Sequence, residues 1–408
     1  MTSSAPYTLI SADTHAGASI ATYREYLEPR YRDEFDAWRG QYKNPSKEHL
    51  GRKKTKNWDN TERFRDLEAE GVVGEIIFPN TVPPFFRNGV LVSSLPKPDE
   101  FEHRLAGIRA HNRWLADWCA EHPERRAGIG LIYLNDIDEA IRDVQWIAEH
   151  TLRGGILLPN PPPDDKHIEP LYSPSYDRLW AVCQDLEVVL NQHGGTGLPD
   201  YGAYPAAGAM WIAEVPFFSK RGFTELILAG VFERFPKLRY ILTESGCAWV
   251  PDVLAQLDAL HARIKSGAVG EIAFSKDAVL PEKPSFYARR NCYYGTSFPS
   301  PMELDGREAI GIDRILWGND YPHYEGTFPY TREALRHTFW NLNPAEIRAM
   351  LGENAARLYG FDLAKLAPIA AKCGPTPEDV ARPLPREEIP KDSMSPAFRT
   401  RSSGQTTP

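Results

Sequence analysis

TLISAD, residues 8 to 13, is the first of eight short apolar runs whose alternation with longer helical patterns decides the fold. The others are VVGEIIFP (72–79), AGIGLIY (127–133), RGGILLP (153–159), EVVLNQ (187–192), LRYILTE (238–244), NCYYG (291–295) and RILWGN (314–319). Several are apolar almost throughout, which is typical of parallel strands that helices cover on one side and a packed interior covers on the other. The runs therefore predict eight parallel strands.

Amphipathic helical patterns lie between these runs. The clearest spans Asp136 to His150, where apolar residues recur at helical spacing and Asp136 with Glu139 forms a helix-start signal. Eight strand and helix alternations favour a closed α/β architecture, the (β/α)8 TIM barrel, over a doubly wound sheet, because closure commonly uses eight strands. The connections longer than a minimal barrel requires are 14–71, 80–100, 194–222 and 265–290. They predict long β/α loop insertions that roof the active site.

The last part of the chain has a different composition. Residues 374–408 are rich in Pro, Ser, Thr and charge and contain few core-forming residues. We expect a barrel domain over residues 1–373 and an irregular C-terminal tail over 374–408. The tail is either mobile or wrapped over the surface, and an alternative is an arm that clasps a neighbouring subunit.

Composition narrows the class of partner. The 408 residues carry a formal net charge of -8, so no basic surplus points to nucleic acid or an anionic membrane. No apolar run reaches the roughly 18 residues of a membrane span, and the N-terminus lacks a secretory signal pattern, so a cytoplasmic location is expected. The five cysteines form no CxxC pair, which argues against a disulfide framework or a zinc ribbon. A small-molecule substrate is the expected partner, in a homo-oligomer such as a dimer.

Polar residues follow the predicted strands where barrel enzymes place their catalytic groups, at the C-terminal ends. Strand one ends in Asp13-Thr14-His15, and alternation turns Asp13 and His15 to the same face. Strand five ends at His193, followed by two glycines that permit close approach of a ligand. Taken alone, His193 is equally well explained as an imidazole satisfied by backbone at the barrel rim.

Two further carboxylates complete this set. Glu244 ends strand six, and Asp320 follows strand eight, which barrel closure places beside strand one. Glu244 alone has a structural explanation, an ion pair with an arginine. Three carboxylates and two imidazoles at one mouth would perturb one another strongly unless a cation neutralised them. The set Asp13, His15, His193, Glu244 and Asp320 therefore predicts one or two divalent transition metal ions, with Zn or Fe favoured and Mn compatible.

Residues 7–362 resemble the amidohydrolase superfamily, in particular its amidohydrolase-related, ACMSD-like branch. The motifs that carry the resemblance are SADTHAG, RGGILLPN, LNQHGG, FERFPKLRYILTESGCAWVPDVLAQLD, ILWGNDYPHYEGTFP and LGENAARLYGF. The family commonly has H-x-H on strand one, where this chain has Asp13, and often a His on strand six, where it has Glu244. The resemblance implies that His193 binds metal and that Asp320 both binds metal and handles the proton of the nucleophilic water.

The resemblance leaves the number of ions open. Binuclear members often take a bridging carboxylate from strand four, but RGGILLPN contains neither Lys nor Glu. Glu244 is the best candidate for a bridge, because a carboxylate has two oxygens that can reach two ions.

The expected activity is a metal-dependent hydrolase that cleaves an amide, ester, lactone or thioester of a largely apolar molecule. A metal-bound water would attack and Asp320 would accept its proton, with His323 as the substitute if Asp320 does not. The insert after His193 places Trp211, Phe217 and Phe218 as candidates for an apolar substrate wall, although these aromatics can equally pack the roof or a dimer contact.

Two alternatives remain open. The family implies a non-oxidative decarboxylase of an aromatic or unsaturated carboxylic acid, in which Asp320 would assist protonation of carbon. A metal-binding barrel without turnover is the third reading.

Overall fold

The computed structural model describes residues 5–43, 54–275 and 279–398. Eight parallel strands form one sheet in the order β1-β2-β3-β4-β5-β6-β9-β10, and a separate antiparallel hairpin, β7-β8, lies in the predicted insertion 265–290. The strands are β1 (Leu9–Ala16), β2 (Val72–Pro79), β3 (Arg126–Leu131), β4 (Gly155–Leu157), β5 (Val189–His193), β6 (Arg239–Thr243), β7 (Ala268–Val269), β8 (Ile272–Ala273), β9 (Cys292–Ser297) and β10 (Ile315–Gly318).

The ends of the sheet meet at β1 and β10. Thr14 forms a parallel bridge with Tyr321, the His15 amide donates to the Tyr321 carbonyl at 2.7 Å, and the Asp320 amide donates to the Asp13 carbonyl at 2.9 Å. These bonds close the barrel just where the predicted ligands lie, and the prediction of a (β/α)8 barrel with long insertions is confirmed.

Helices cover the outside of the barrel. Their bounds are α1 (Ile20–Tyr26), α2 (Arg32–Gln41), α3 (Asn60–Ala69), α4 (Phe101–Ala120), α5 (Ile137–Glu149), α6 (Asp177–Asp185), α7 (Ala207–Phe218), α8 (Arg221–Leu228), α9 (Val231–Arg234), α10 (Val250–Lys265), α11 (Pro284–Asn291), α12 (Arg307–Ile310), α13 (Thr331–Phe339), α14 (Pro344–Arg348), α15 (Asn354–Tyr359), α16 (Leu363–Cys373) and α17 (Pro377–Val380). Helix α5 begins as its sequence predicts, because the Asp136 side chain accepts from the Glu139 amide.

Alternate residues of the strands pack into two separate buried clusters. On β5 and β6, Leu190 and Leu242 belong to one cluster, whereas their neighbours Val189 and Ile241 belong to the other. Both faces of these strands are therefore buried, which explains why they read as continuous apolar runs and not as alternating ones. All five cysteines are free thiols.

The C-terminal segment packs on the barrel as far as it is described. Ala397 is fully buried and Phe398 is nearly so, both against Ala334 of α13. Arg336 donates to the carbonyls of Arg382 and Pro383. Residues 399–408 of the predicted tail lie outside the described residues. Over 374–398 the tail wraps the surface, and the domain boundary at residue 373 stays a prediction.

Among the helices of the described ranges, none combines the length and apolar character that a bilayer span requires.

Candidate metal centre

The first part of the site lies at the end of β1. Asp13 and His15 are fully buried, and the His15 Nε2 atom lies 3.1 Å from Asp13 Oδ1. The Nδ1 atom of His15 lies 3.3 Å from the carbonyl oxygen of Pro79 on β2. A carbonyl only accepts, so Nδ1 carries a proton, and the Nε2 atom is the one that faces the carboxylate and could bind a metal ion.

His193, at the end of β5, has the same arrangement. Its Nδ1 lies 2.9 Å from the carbonyl oxygen of Gly194, and its Nε2 lies 3.3 Å from Asp13 Oδ1. The other Asp13 oxygen accepts a hydrogen bond from the Ser297 hydroxyl at the end of β9. Two imidazole lone pairs thus converge on one oxygen of Asp13, and backbone carbonyls fix both ring tautomers, as is usual for metal-binding histidines.

Glu244 directly follows β6, and Asp320 lies two residues after the end of β10. Both have left-handed backbones, with φ of 55° and 57°, which an ordinary residue adopts at a cost of about 1–3 kcal/mol. Asp320 is fully buried, and its Oδ1 lies 3.0 Å from His15 Nε2 and 2.8 Å from His323 Nδ1. Glu244 Oε2 lies 3.3 Å from His193 Nδ1. The structure therefore brings together all five residues predicted as metal ligands.

These side chains form three overlapping groups whose ligand atoms lie within 4.8 Å of one another. The groups are Asp13, His15 and His193; His15, Asp320 and His323; and Glu244, Asp320 and Glu325. Among the residues of the described ranges, neither His15 Nε2 nor either Asp320 oxygen has an aligned hydrogen-bond partner. Buried lone pairs that face carboxylates repel each other, and a divalent cation between them removes this cost. The residues present therefore fit a bound metal ion.

The close approach of these buried groups shifts the pKa values of Asp13, His15 and Glu244. Burial alone would raise the pKa of Asp13, but the charges and hydrogen bonds of His193 and His15 hold that pKa well below its usual range. Burial would lower the pKa of His15, but Asp13 and Asp320 raise it well above its ordinary value. Burial at the mouth, and then the charges of Asp320 and Asp13, raise the pKa of Glu244 well above normal. The site thus contains an excess of carboxylates, and this excess favours the binding of a cation.

The sequence prediction missed three participants. Glu325 joins the outer carboxylate group, Ser297 bonds Asp13, and Asn80 Oδ1 lies 3.1 Å from His323 Nε2. Glu325 stands five residues after Asp320 in DYPHYEG, on a loop without periodicity. Ser297 could have been found by extending the seventh strand by two residues beyond the predicted end at 295.

The residues predicted to contact substrate lie on α7, which has no buried residue. The ring of Trp211 lies over Gly195, just after His193, where an added Cβ would come within 3.6 Å of it. Phe217 is 69% exposed, and the carbonyl of the partly buried Phe218 accepts from the Asn160 amide. Of the three predicted substrate-binding residues, Trp211 is thus the one whose ring lies beside the barrel mouth, at Gly195.

A closed parallel barrel with imidazoles and carboxylates gathered at the carboxyl ends of its strands defines the class of metal-dependent barrel enzymes. The chain belongs to the amidohydrolase family, whose model matches residues 98–361. The family resemblance seen in the sequence is therefore confirmed.

The relatives matched by sequence are named for a specific reaction. A gamma-resorcylate decarboxylase of Rhizobium sp. (strain MTP-10005) is 27% identical over 227 residues, which cover 52% of this chain and 65% of the relative. The same enzyme of Polaromonas sp. (strain JS666) is 25% identical over 221 residues, with the same coverage. The matches therefore span slightly less than two thirds of these relatives.

Solved structures share the fold. The 5-carboxyvanillate decarboxylase of Sphingomonas paucimobilis superimposes with a TM-score of 0.64 at 21% identity, covering 87% of this chain and all of the other. A dihydroxybenzoic acid decarboxylase of Polaromonas sp. JS666, crystallised with manganese and 2-nitroresorcinol, gives a TM-score of 0.61 at 18% identity, covering 88% and 99%.

These comparisons correct the expected activity. The prediction of a hydrolase for amides, esters, lactones or thioesters is wrong, because the relatives matched by sequence are decarboxylases. The physical reason is that one frame of carboxylates and imidazoles around a cation serves both chemistries, so the ligand residues do not distinguish them.

Proposed function

We propose that the protein is a divalent-metal-dependent, non-oxidative decarboxylase of a hydroxylated aromatic carboxylic acid. The observation that carries the proposal is the sequence match to gamma-resorcylate decarboxylases over about half of the chain. The buried carboxylate of Asp320, between two imidazoles at the mouth, is compatible with this chemistry.

The cation would be held by Asp13, His15, His193 and Asp320. When bound, it would supply positive charge that holds the oxygens of an aromatic acid. The mixed donor set suits Zn, Fe or Mn, and the manganese in the Polaromonas structure makes Mn²⁺ the first choice for an assay.

Asp320 and His323 form a path for a proton. The Asn80 amide nitrogen donates to Asn57 Oδ1 at 2.7 Å, so Asn80 presents its oxygen to His323. His323 Nε2 must then be the donor to Asn80, and His323 Nδ1 lies 2.8 Å from Asp320 Oδ1, close enough for a proton to pass between them. Because a quarter of the His323 side chain is exposed, this ring can return protons from solvent to the buried Asp320.

In the proposed reaction a proton replaces the carboxylate of the substrate. The proton that His323 supplies to Asp320 passes to the ring carbon that bears the carboxylate. The bond between that carbon and the carboxylate then breaks, its electron pair returns to the ring, and carbon dioxide leaves. The proton thus replaces the carboxylate, and His323 reprotonates Asp320. A hydroxyl group next to the carboxylate helps, because it feeds electron density to the carbon that accepts the proton.

The substrate ring would lie against Trp211. This residue is the best placed of the three aromatic candidates, since its ring covers Gly195 beside the site. Phe217 and Phe218 remain weaker candidates for the wall.

The test is a panel assay on Mn²⁺-loaded protein. 2,6-Dihydroxybenzoate and 5-carboxyvanillate are compared with aryl esters, lactones and amides, with carbon dioxide and ring product both measured. We expect carbon dioxide from a hydroxybenzoate, and a single deuterium at the former carboxylate position when the reaction runs in D₂O. Turnover of an ester or amide without any decarboxylation across the panel would refute the proposal.

A further inference from the structure

The helix layer is thin where it covers β9. In the segment between β9 and β10, all of which the structure describes, no helix is longer than four residues, whereas α10, which follows β6, has 16. A strand of such a barrel normally packs against a full helix on its outer side. Here the short α12 leaves a cavity of about 440 Å³ between α10, α11 and α12, which we call the β9 pocket.

The inner part of the β9 pocket is apolar. Its lining includes Tyr294 of β9, which is 1% exposed, together with Leu254 of α10 and Ile310 of α12. Phe286 of α11 also lines the pocket and is 41% exposed. The volume lies within the range of about 300–1,000 Å³ that is usual for small-molecule sites. A ligand with an apolar body of modest size would therefore fit.

The remainder of the lining is basic. Lys283 at the start of α11 and Arg289 and Arg290 in its last turn contribute three cations. Among the described residues that line the pocket, none is acidic, although the whole chain has a net charge of -8. This local excess of positive charge favours an anionic group on the ligand.

The three cations keep donors available for a ligand. Lys283 Nζ lies 3.6 Å from Asp258 and Arg289 Nη1 lies 2.6 Å from Asp313, but 63% and 51% of these two basic side chains remain exposed. An ammonium has three N–H donors and a guanidinium five, so one acidic partner does not use them all. The Arg290 guanidinium carbon lies 5.1 Å from the centre of the Phe286 ring, which places positive charge beside the apolar wall.

We propose that the β9 pocket binds a small amphipathic anion, a carboxylate on an apolar body. Lys283, Arg289 and Arg290 would hold the carboxylate, and Tyr294 and Phe286 would contact the body. The lining shares no residue with the three groups of candidate metal ligands. The ligand would therefore bind apart from the metal centre, whatever reaction that centre performs.

The test is isothermal titration calorimetry on Mn²⁺-loaded protein. Octanoate and 4-butylbenzoate carry the same anionic group on a chain and on a ring, and octylammonium carries the opposite charge on the octanoate chain. We expect about one equivalent of at least one acid to bind, and the better acid identifies a chain or a ring as the body. Octylammonium is expected not to bind, because the pocket is basic.

Two variants assign the binding to this pocket. Ala309 lines the pocket and is exposed, so Ala309→Trp should fill the space and weaken binding at least about tenfold, whereas Ala262→Trp, at an exposed alanine of α10 outside the lining, should not. Lys283→Gln should weaken binding about fivefold, as expected for one exposed charge contact, and Lys372→Gln on α16 should not.

The melting temperatures of all four variants are measured to confirm that the fold is kept. The proposal is overturned if neither acid binds to the wild type, or if octylammonium binds as tightly as octanoate. It is also overturned if Ala309→Trp and Lys283→Gln bind the acids as tightly as the wild type, because the anion then binds elsewhere, such as at the metal centre. None of these results bears on carbon dioxide release, which tests the proposed function separately.

Discussion

Replacement of His111 by Gln is expected to flatten the acid dependence of stability. His111 lies on α4, fully buried, with Nδ1 2.8 Å from the Tyr23 hydroxyl, and its Nε2 has no hydrogen-bond partner in the described part of the chain. Burial lowers the pKa of His111 to about 3. An exposed histidine in the unfolded chain titrates near 6.5.

The sign and size of the effect follow from these two values. Between pH 6.5 and about 3 the unfolded chain binds a proton that the folded protein refuses, so acidification favours unfolding. The contribution is small at pH 7 and grows by about 1.4 kcal/mol per pH unit below 6.5. From pH 7 to pH 5, His111 alone should lower the free energy of unfolding by about 2 kcal/mol.

Urea unfolding followed by tryptophan fluorescence, at pH 7 and pH 5, measures this contribution. Every other titrating group is present in both proteins, so the difference between the pH dependences of wild type and His111→Gln isolates His111. Gln keeps a polar group within reach of Tyr23 but does not titrate. If the two proteins lose the same free energy between pH 7 and pH 5, His111 is not held neutral by burial.

Four further predictions concern the site and the tail. Asp320→Asn should keep most of the bound metal but lower turnover by at least about a hundredfold, because the amide cannot carry the proton. Rate and metal content are measured on one preparation. Gly318→Ala would place a Cβ 2.7 Å from the Cβ of Asp13 and should weaken Mn²⁺ binding about 10–100-fold, whereas Gly208→Ala, with nothing within 4 Å, should not. Phe398→Ala should lower the free energy of unfolding in urea by about 3 kcal/mol, since that ring is nearly buried. Chelation should abolish carbon dioxide release, and added Mn²⁺ should restore it.

The barrel was predictable because its strands are buried on both faces. The run VVGEIIFP coincides with β2, Val72–Pro79. The C-terminal ends of the strands, where the candidate ligands lie, were harder to predict. Strand β1 continues to Ala16 and β9 to Ser297, beyond the predicted ends at 13 and 295. Polar residues such as Asp13 and His15 interrupt the apolar pattern, so a strand that ends in ligands looks like the start of a loop.

The ligands on strand ends were predictable for the same reason that the barrel was, because parallel strands deliver their C-terminal residues to one mouth. Glu325 lies on an irregular loop, and no spacing rule places it beside Glu244. The packing of the tail was unpredictable for a related reason. Ala397 and Phe398 are buried, but the tail sequence lacks the apolar periodicity that marks a core element. The homodimer and the boundary at 373 stay predictions.

The direction of proton transfer was beyond the reach of the sequence. A hydrolase and a decarboxylase both need a carboxylate at the position of Asp320, which takes a proton from water in one case and gives a proton to carbon in the other. The residue is a carboxylate in both cases, and only the substrate bond that reacts beside it differs. The ligand set therefore indicated a metal-dependent enzyme, whereas the proposed activity rests on relatives with a named reaction.

Strained backbone conformations occur at three positions of the barrel mouth. Glu244, Phe298 and Asp320 have φ of 55°, 40° and 57°, and they lie within two residues of the ends of three neighbouring strands, β6, β9 and β10. Non-glycine residues hold such backbones only where the surroundings impose them, and such strain is concentrated at functional sites. An extended backbone would turn the carboxylates of Glu244 and Asp320 elsewhere, so here the strain aims both groups into the site. The arc from β6 to β10 is therefore where we expect the substrate carboxylate to meet its proton donor, with the β1 end serving mainly to hold the cation.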